Sequence, residues 1–146
     1  MAINSGSIAG LDALIRDTMK IADKALPGLR IASLRSANIV LIKAKQLAPV
    51  DKTGSEHAGT LRDSLVVKKM SNRKSPYTIS YKVTFGKGAA YGIPVELGHD
   101  QPGRGQGERI KARPFLRPAS DESKDQVAEE MIQALNTELD KWGGRS

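Results

Sequence analysis

Three prolines most constrain what this chain can become. Pro94 lies in Ala-Tyr-Gly-Ile-Pro-Val-Glu-Leu-Gly, and Pro114 and Pro118 lie in Lys-Ala-Arg-Pro-Phe-Leu-Arg-Pro-Ala. Each fixes its own φ and pushes the preceding residue toward extended conformations, so both segments are held in shape. Ile93, Val95 and Leu97 supply apolar surface before the intervening loop, and Phe115 and Leu116 supply it afterwards. Between them, residues 99–111 hold Ile110 as the one bulky apolar side chain. The pattern predicts a rigid frame at residues 90–119 carrying a polar projection, an arrangement that suits contact with a partner. Tyr91, Pro94, Glu96, Arg113, Pro114, Phe115, Arg117 and Pro118 are the candidate frame residues. His99, Arg104, Gln106, Arg109 and Lys111 are the candidate contact residues. Glu96 either pairs with Arg113 or Arg117 across the loop or stands at a solvated edge.

The rest of the chain must build a body for that frame. Leu11, Leu14, Ile15, Thr18, Met19 and Ala22 repeat at helical spacing and predict an amphipathic helix over residues 8–26. Pro27-Gly28 is expected to end or kink it. A second helix follows over 29–47, with Leu34, Ala37, Leu41, Ala44 and Ala48 as its stripe and Ile31 extending it. Ile39, Val40 and Ile42 give that helix another apolar surface, covered either within the domain or by a neighbouring subunit. Ala-Pro-Val-Asp-Lys-Thr-Gly stops it with turn chemistry. A short turn at 61–65 feeds a strand at 65–69. Tyr77, Ile79, Tyr81, Val83 and Phe85 then alternate with polar residues, predicting a half-buried antiparallel strand. Ser120 is expected to cap a last helix with Val127, Met131, Leu135, Leu139 and Trp142 as its stripe.

This order predicts an α+β fold: N-terminal amphipathic helices, a small mainly antiparallel sheet, and a C-terminal helix packed on it. One domain is expected over residues 1–146, divided into a helical region at 1–48, strands and loops at 49–118, and a helix at 119–142. Only 4% of the residues are aromatic, so the core is modest and neighbours are expected to contribute to stability. The N-terminus lacks the pattern of a signal peptide, and no apolar run reaches the roughly 20 residues of a membrane span. A soluble, cytosol-made protein without membrane contact is therefore expected.

Catalytic chemistry has no visible home. The chain has no cysteine, which excludes thiolate nucleophiles and disulfides. No serine sits in a nucleophile elbow. His57 and His99 lack metal-ligand spacing with Asp51, Asp63, Glu96 or Asp100. Gly-Arg-Gly-Gln-Gly at 103–107 shares only its glycines with a phosphate cradle. No enzyme, cofactor or metal is expected.

Five ordered pieces bring a family into view. They are Gly-Leu-Asp-Ala-Leu at 10–14, Leu-Ala-Pro-Val-Asp at 47–51 with Thr53-Gly54, Leu-Arg-Asp-Ser-Leu at 61–65, Tyr-Gly-Ile-Pro-Val-Glu-Leu-Gly at 91–98, and Ala-Arg-Pro-Phe-Leu-Arg-Pro-Ala at 112–119. The series resembles the gene-product-ten-like family of HK-type long-tailed bacteriophages, the head–tail joining or tail-completion proteins of the neck. The resemblance implies a virion structural protein and minor tail component assembled in the host cytoplasm. It would form a homo-oligomeric ring, a hexamer or dodecamer, between the connector or adaptor and the tail terminator or tail tube. DNA would then be only cargo passing through the channel. Lys52 and residues 55–59 stretch the family's Ala-Pro-x-Asp-Thr-Gly-x-Leu pattern here, and the 99–110 loop is longer and more basic than the family's short glycine-threonine link.

Two other classes compete with a neck subunit. The net charge of +7 and pI near 9.8 also suit a nucleic-acid-binding module using Lys43, Lys45, Lys68, Lys69, Arg73, Lys74, Arg104 and Arg109. A metal-dependent nuclease would need the acidic and histidine residues named above to converge.

Overall fold

A computed structural model describes residues 10–50, 59–71, 75, 78–100 and 109–143. One helix dominates it. Helix α1 (Leu11–Leu47) runs unbroken for 37 residues with Pro27 inside, where two helices were expected. A proline in a helix interior costs about 3 kcal/mol through a lost hydrogen bond and a ring clash. Packing across that point compensates for it. A side-chain carbon added at Gly28 would collide with Glu138 of the last helix, α5 (Lys124–Gly143). Glycine there makes room for the Glu138 side chain of α5 immediately after the proline. The two helices run antiparallel, since Glu130 pairs with Arg35 at 3.4 Å, while Glu138 meets Gly28 further along.

The inward face of α1 differs from the predicted stripe. Ala32, Ser36 and Ala44 are buried, whereas Ile31 and Leu34 are 55% and 41% exposed. Small residues win that face because α5 and the helix α4 (Leu116–Glu122) approach closely there. Correspondingly, Leu135 and Leu139 of α5 are about half exposed, and the side toward α1 holds Val127, Met131, Ala134 and Glu138. The side chain of Trp142 lies outside the described residues.

Joined through Pro27, α1 is also long and apolar enough to cross a membrane by length and composition. Its second half packs instead on α4, α5 and a two-stranded sheet.

That sheet pairs β1 (Leu65–Met70) antiparallel with β2 (Ser80–Phe85), in register from Leu65–Phe85 to Met70–Ser80. The predicted strand is shorter than its alternation: Thr78 and Ile79 lie before β2, and Tyr77 lies outside the described residues. A single helical turn, α2 (Thr60–Asp63), precedes β1. The core gathers Ala44 of α1 and Ala48 just after it, Leu61, Leu65, Phe115 and Ala119, with Leu41, Phe85, Val95 and Leu116 against it. Phe85 and Phe115 meet edge-to-face with centroids 6.1 Å apart, a favourable aromatic geometry. The expected α+β class holds, and the C-terminal helix joins the body along α1.

Replacing Pro27 by Ala should stabilise the protein by about 1–3 kcal/mol in urea unfolding, because it restores the helix hydrogen bond. Unchanged or lower stability would contradict an unbroken α1.

Candidate functional site

Residues 90–119 form a frame, built differently from the expectation. The segment around Pro94 is a short helix, α3 (Gly92–Leu97), rather than an extended run. Pro94 sits in its first turn, where a missing N–H costs nothing because that donor would have no helical acceptor. Val95 packs on the core, but Leu97 is 67% exposed, so the apolar triplet is not all core.

The helix α4 begins just after Pro114 and contains Ser120, which is therefore no cap of the last helix. Phe115 is its N-cap residue and has no side-chain oxygen to offer. Glu96 supplies the acceptors from α3. The amides of Phe115 and Leu116 donate to Glu96 Oε2 at 2.8 and 3.1 Å, and the amide of Arg117 donates to Oε1 at 3.2 Å. The next residue, Pro118, has no N–H. The amide of Ala119 already reaches the carbonyl of Phe115 at 3.1 Å. Every orphan donor of the α4 N-terminus is thus satisfied or absent. The carboxylate also stands at the positive end of the helix dipole.

This is neither an ion pair with Arg113 or Arg117 nor a solvated edge. Among the described residues Glu96 forms no salt bridge to Arg113 or Arg117, whose side chains are exposed. Both arginines matter through their backbones: the Arg113 amide donates to the Val95 carbonyl at 2.8 Å.

Between α3 and α4 the chain makes a narrow hairpin. Strands β3 (His99–Asp100) and β4 (Arg109–Ile110) pair antiparallel, with His99 opposite Ile110 and Asp100 opposite Arg109. Gly98 opens it at φ 75°, and an added Cβ would lie 2.8 Å from the Ile110 carbonyl oxygen. Positive φ and close backbone approach together require glycine there. A glycine just after a helix end is a sequence signal for this role. His99, Arg109 and Lys111 are exposed on the hairpin or just beyond it, and Tyr91 is 45% exposed at the start of α3. Arg104 and Gln106 lie outside the described residues.

The other candidates stay apart. Lys43 is engaged by Glu122 at 2.7 Å, Lys45 is on α1, Lys68 and Lys69 are on β1, and Arg109 is on β4. Arg73 and Lys74 lie outside the described residues. Asp63 is bound by Arg62 at 2.9 Å, and that hydrogen bond holds its carboxyl below the usual range. Asp51 and His57 lie outside the described residues. Among the described residues no three His, Asp or Glu side chains gather as a metal set. A groove of about 300 Å³ lined by Ala37, Val40, Tyr81, Val83, Leu116 and Ser120 has no charged side chain in its lining.

Uncovered apolar surface is the stronger feature. Leu11, Ile15, Thr18, Ala22, Ala25, Leu29, Ala32 and Ser36 follow one another at three- and four-residue steps, so one face runs along α1. Its second half is covered. In the first half Leu11, Leu14, Ile15, Met19 and Ile21 are 44–64% exposed. The Thr18 hydroxyl donates to the Leu14 carbonyl at 2.8 Å, leaving this face apolar. Since α5 has reached Gly28 by Glu138, it ends well short of Leu11.

Such a chain is a small α+β protein with an exposed apolar helix face. Its residues 12–98 match the family described as "Bacteriophage HK97-gp10, putative tail-component". The match spans more than half of the chain, which belongs to this HK97-gp10-like family of bacteriophage tail proteins. No curated protein and no solved structure gives a match.

Replacing Glu96 by Ala should cost about 2–3 kcal/mol, the loss of a charged cap on partly buried donors. Replacing Arg113 or Arg117 by Ala should change stability by less than about 0.5 kcal/mol. Urea unfolding compares the three; equal losses would restore the ion-pair interpretation.

Proposed function

We propose that this protein is a non-enzymatic head–tail joining or tail-completion subunit of the virion neck. It works as one domain over residues 1–146, forms a ring of six or twelve copies, and links the connector to the tail terminator or tube. It is assembled in the host cytoplasm, and DNA passes through the ring as cargo.

One observation carries this reading: the face of α1 that builds the core at residues 32–48 continues uncovered to Leu11. On this face Leu11, Leu14 and Ile15 are 44–64% exposed, and the exposed Met19 and Ile21 flank it on either side. Apolar side chains left exposed together along a helix mark a protein contact. Family membership in a class of phage tail components supports the same reading. The paired strands β3 and β4 stand as a second contact element, carried on a frame that Glu96 holds together.

In light-scattering measurements, the chain should reach the mass of a ring, alone or once mixed with its connector and terminator. The double substitution Ile15→Asp and Met19→Asp should prevent this and leave the circular dichroism spectrum unchanged. A wild-type chain that stays monomeric in every mixture would refute the ring.

A further inference from the structure

Charge in this chain is strongly segregated. Residues 64–95 contain no acidic residue and six basic ones: Lys68, Lys69, Arg73, Lys74, Lys82 and Lys87. Residues 121–141 contain seven acidic residues against two basic ones. One segment is the β1–β2 ribbon and the other is mostly α5.

Lys68 and Lys82 of the first segment, and Asp125, Glu129 and Asp140 of the second, are exposed. Leu65 belongs to the core, so alternation places Val66, Lys68 and Met70 on the outer face of β1. Lys68 stands directly opposite Lys82 on β2. Like charges in that position destabilise a strand pair, and among the described residues neither lysine has an acidic partner. Met70, next to them, is 46% exposed. An acidic surface laid on this face would relieve the repulsion.

The outer side of α5 has the opposite character. Ile132, Leu135 and Leu139 are 48–58% exposed, at the i, i+3, i+7 spacing of one stripe. Asp125, Glu129 and Asp140 line its border, exposed and outside the ion pairs that engage Glu122, Glu130 and Glu138. Their spacing places them on one side of the helix, away from the Val127, Met131 and Glu138 side that faces α1. The lengths also agree: six strand residues span about 20 Å, and residues 125–140 of a helix span about 23 Å.

We infer that the acidic, apolar outer face of α5 in one copy docks on the basic outer face of the β1–β2 ribbon in the next copy. The basic pair Lys68 and Lys82 faces the acidic border of α5 that Asp125, Glu129 and Asp140 form, while Val66 and Met70 lie against Ile132, Leu135 and Leu139. Two different surfaces are joined, so the contact is head-to-tail, the kind that closes into a ring. The inference rests on the ring proposed above. It assigns much of the positive charge to protein contact rather than to DNA.

The test reverses the charges on each side of the full chain. One variant carries Lys68→Glu and Lys82→Glu, and the other carries Glu129→Lys and Asp140→Lys. Circular dichroism checks that both fold. At low salt, sedimentation should show that each variant alone has lost association by about tenfold or more. An equimolar mixture should recover to within about threefold of wild type, because every junction is again complementary. Variants that assemble like wild type, or a mixture without rescue, would overturn the contact and leave a wild-type ring standing. A monomeric wild type would sink both the ring and the contact. Rescued open chains without closure would support the contact and reject the ring. Loss of binding to a short DNA duplex with assembly intact would assign the ribbon charge to DNA and overturn the inference.

Discussion

The carboxylate of Glu96 holds three consecutive backbone amides, and most of the body depends on it. Without it, α4 would begin with unsatisfied donors beside a buried aromatic residue. With it, Phe115 enters the core, 1% exposed, and Ala119 follows one turn later against Ala44 of α1 and Ala48 just after it. The same bonds fasten α3 to α4 from opposite ends of the β3–β4 hairpin. Removing Glu96 therefore disturbs the core and the projection together. Pro118 has a matching role: it occupies the one first-turn position that Glu96 does not reach, and it has no N–H to satisfy.

Some of this architecture was legible in the sequence because it follows from periodicity. The helix over 11–22, the strand at 65–69 and the apolar positions Val95 and Phe115 all follow from local patterns. The partner of Glu96 was not legible, since backbone amides carry no sequence signature and two nearby arginines offered a plausible alternative. Pro27 misled for another reason. Its local cost is real, but α5 packs at Gly28, and a contact 110 residues away (Gly28 to Glu138) leaves no mark in the local pattern. Ala32 and Ser36 were overlooked because hydropathy favours Ile31 and Leu34, whereas close helix packing favours small side chains.

The energetic character of the fold agrees with its family. Phe115 and Leu65 are the largest side chains that are fully buried, and the other buried apolar residues are mostly alanines. A core of that size leaves little stability in reserve. Meanwhile, long aliphatic side chains lie uncovered along α1 and α5. A tail subunit that assembles with neighbours can gain much of its stability on docking. The proposed ring supplies that cover, with the ribbon and α5 as adjoining surfaces and the α1 projection as a further apolar contact.

A reconstruction of the intact particle's neck tests the central claim most directly. The account predicts a closed ring of this chain in which the exposed first half of α1 is covered by protein. Copies scattered as monomers, or a ring that leaves Leu11 to Ile21 facing solvent, would contradict it.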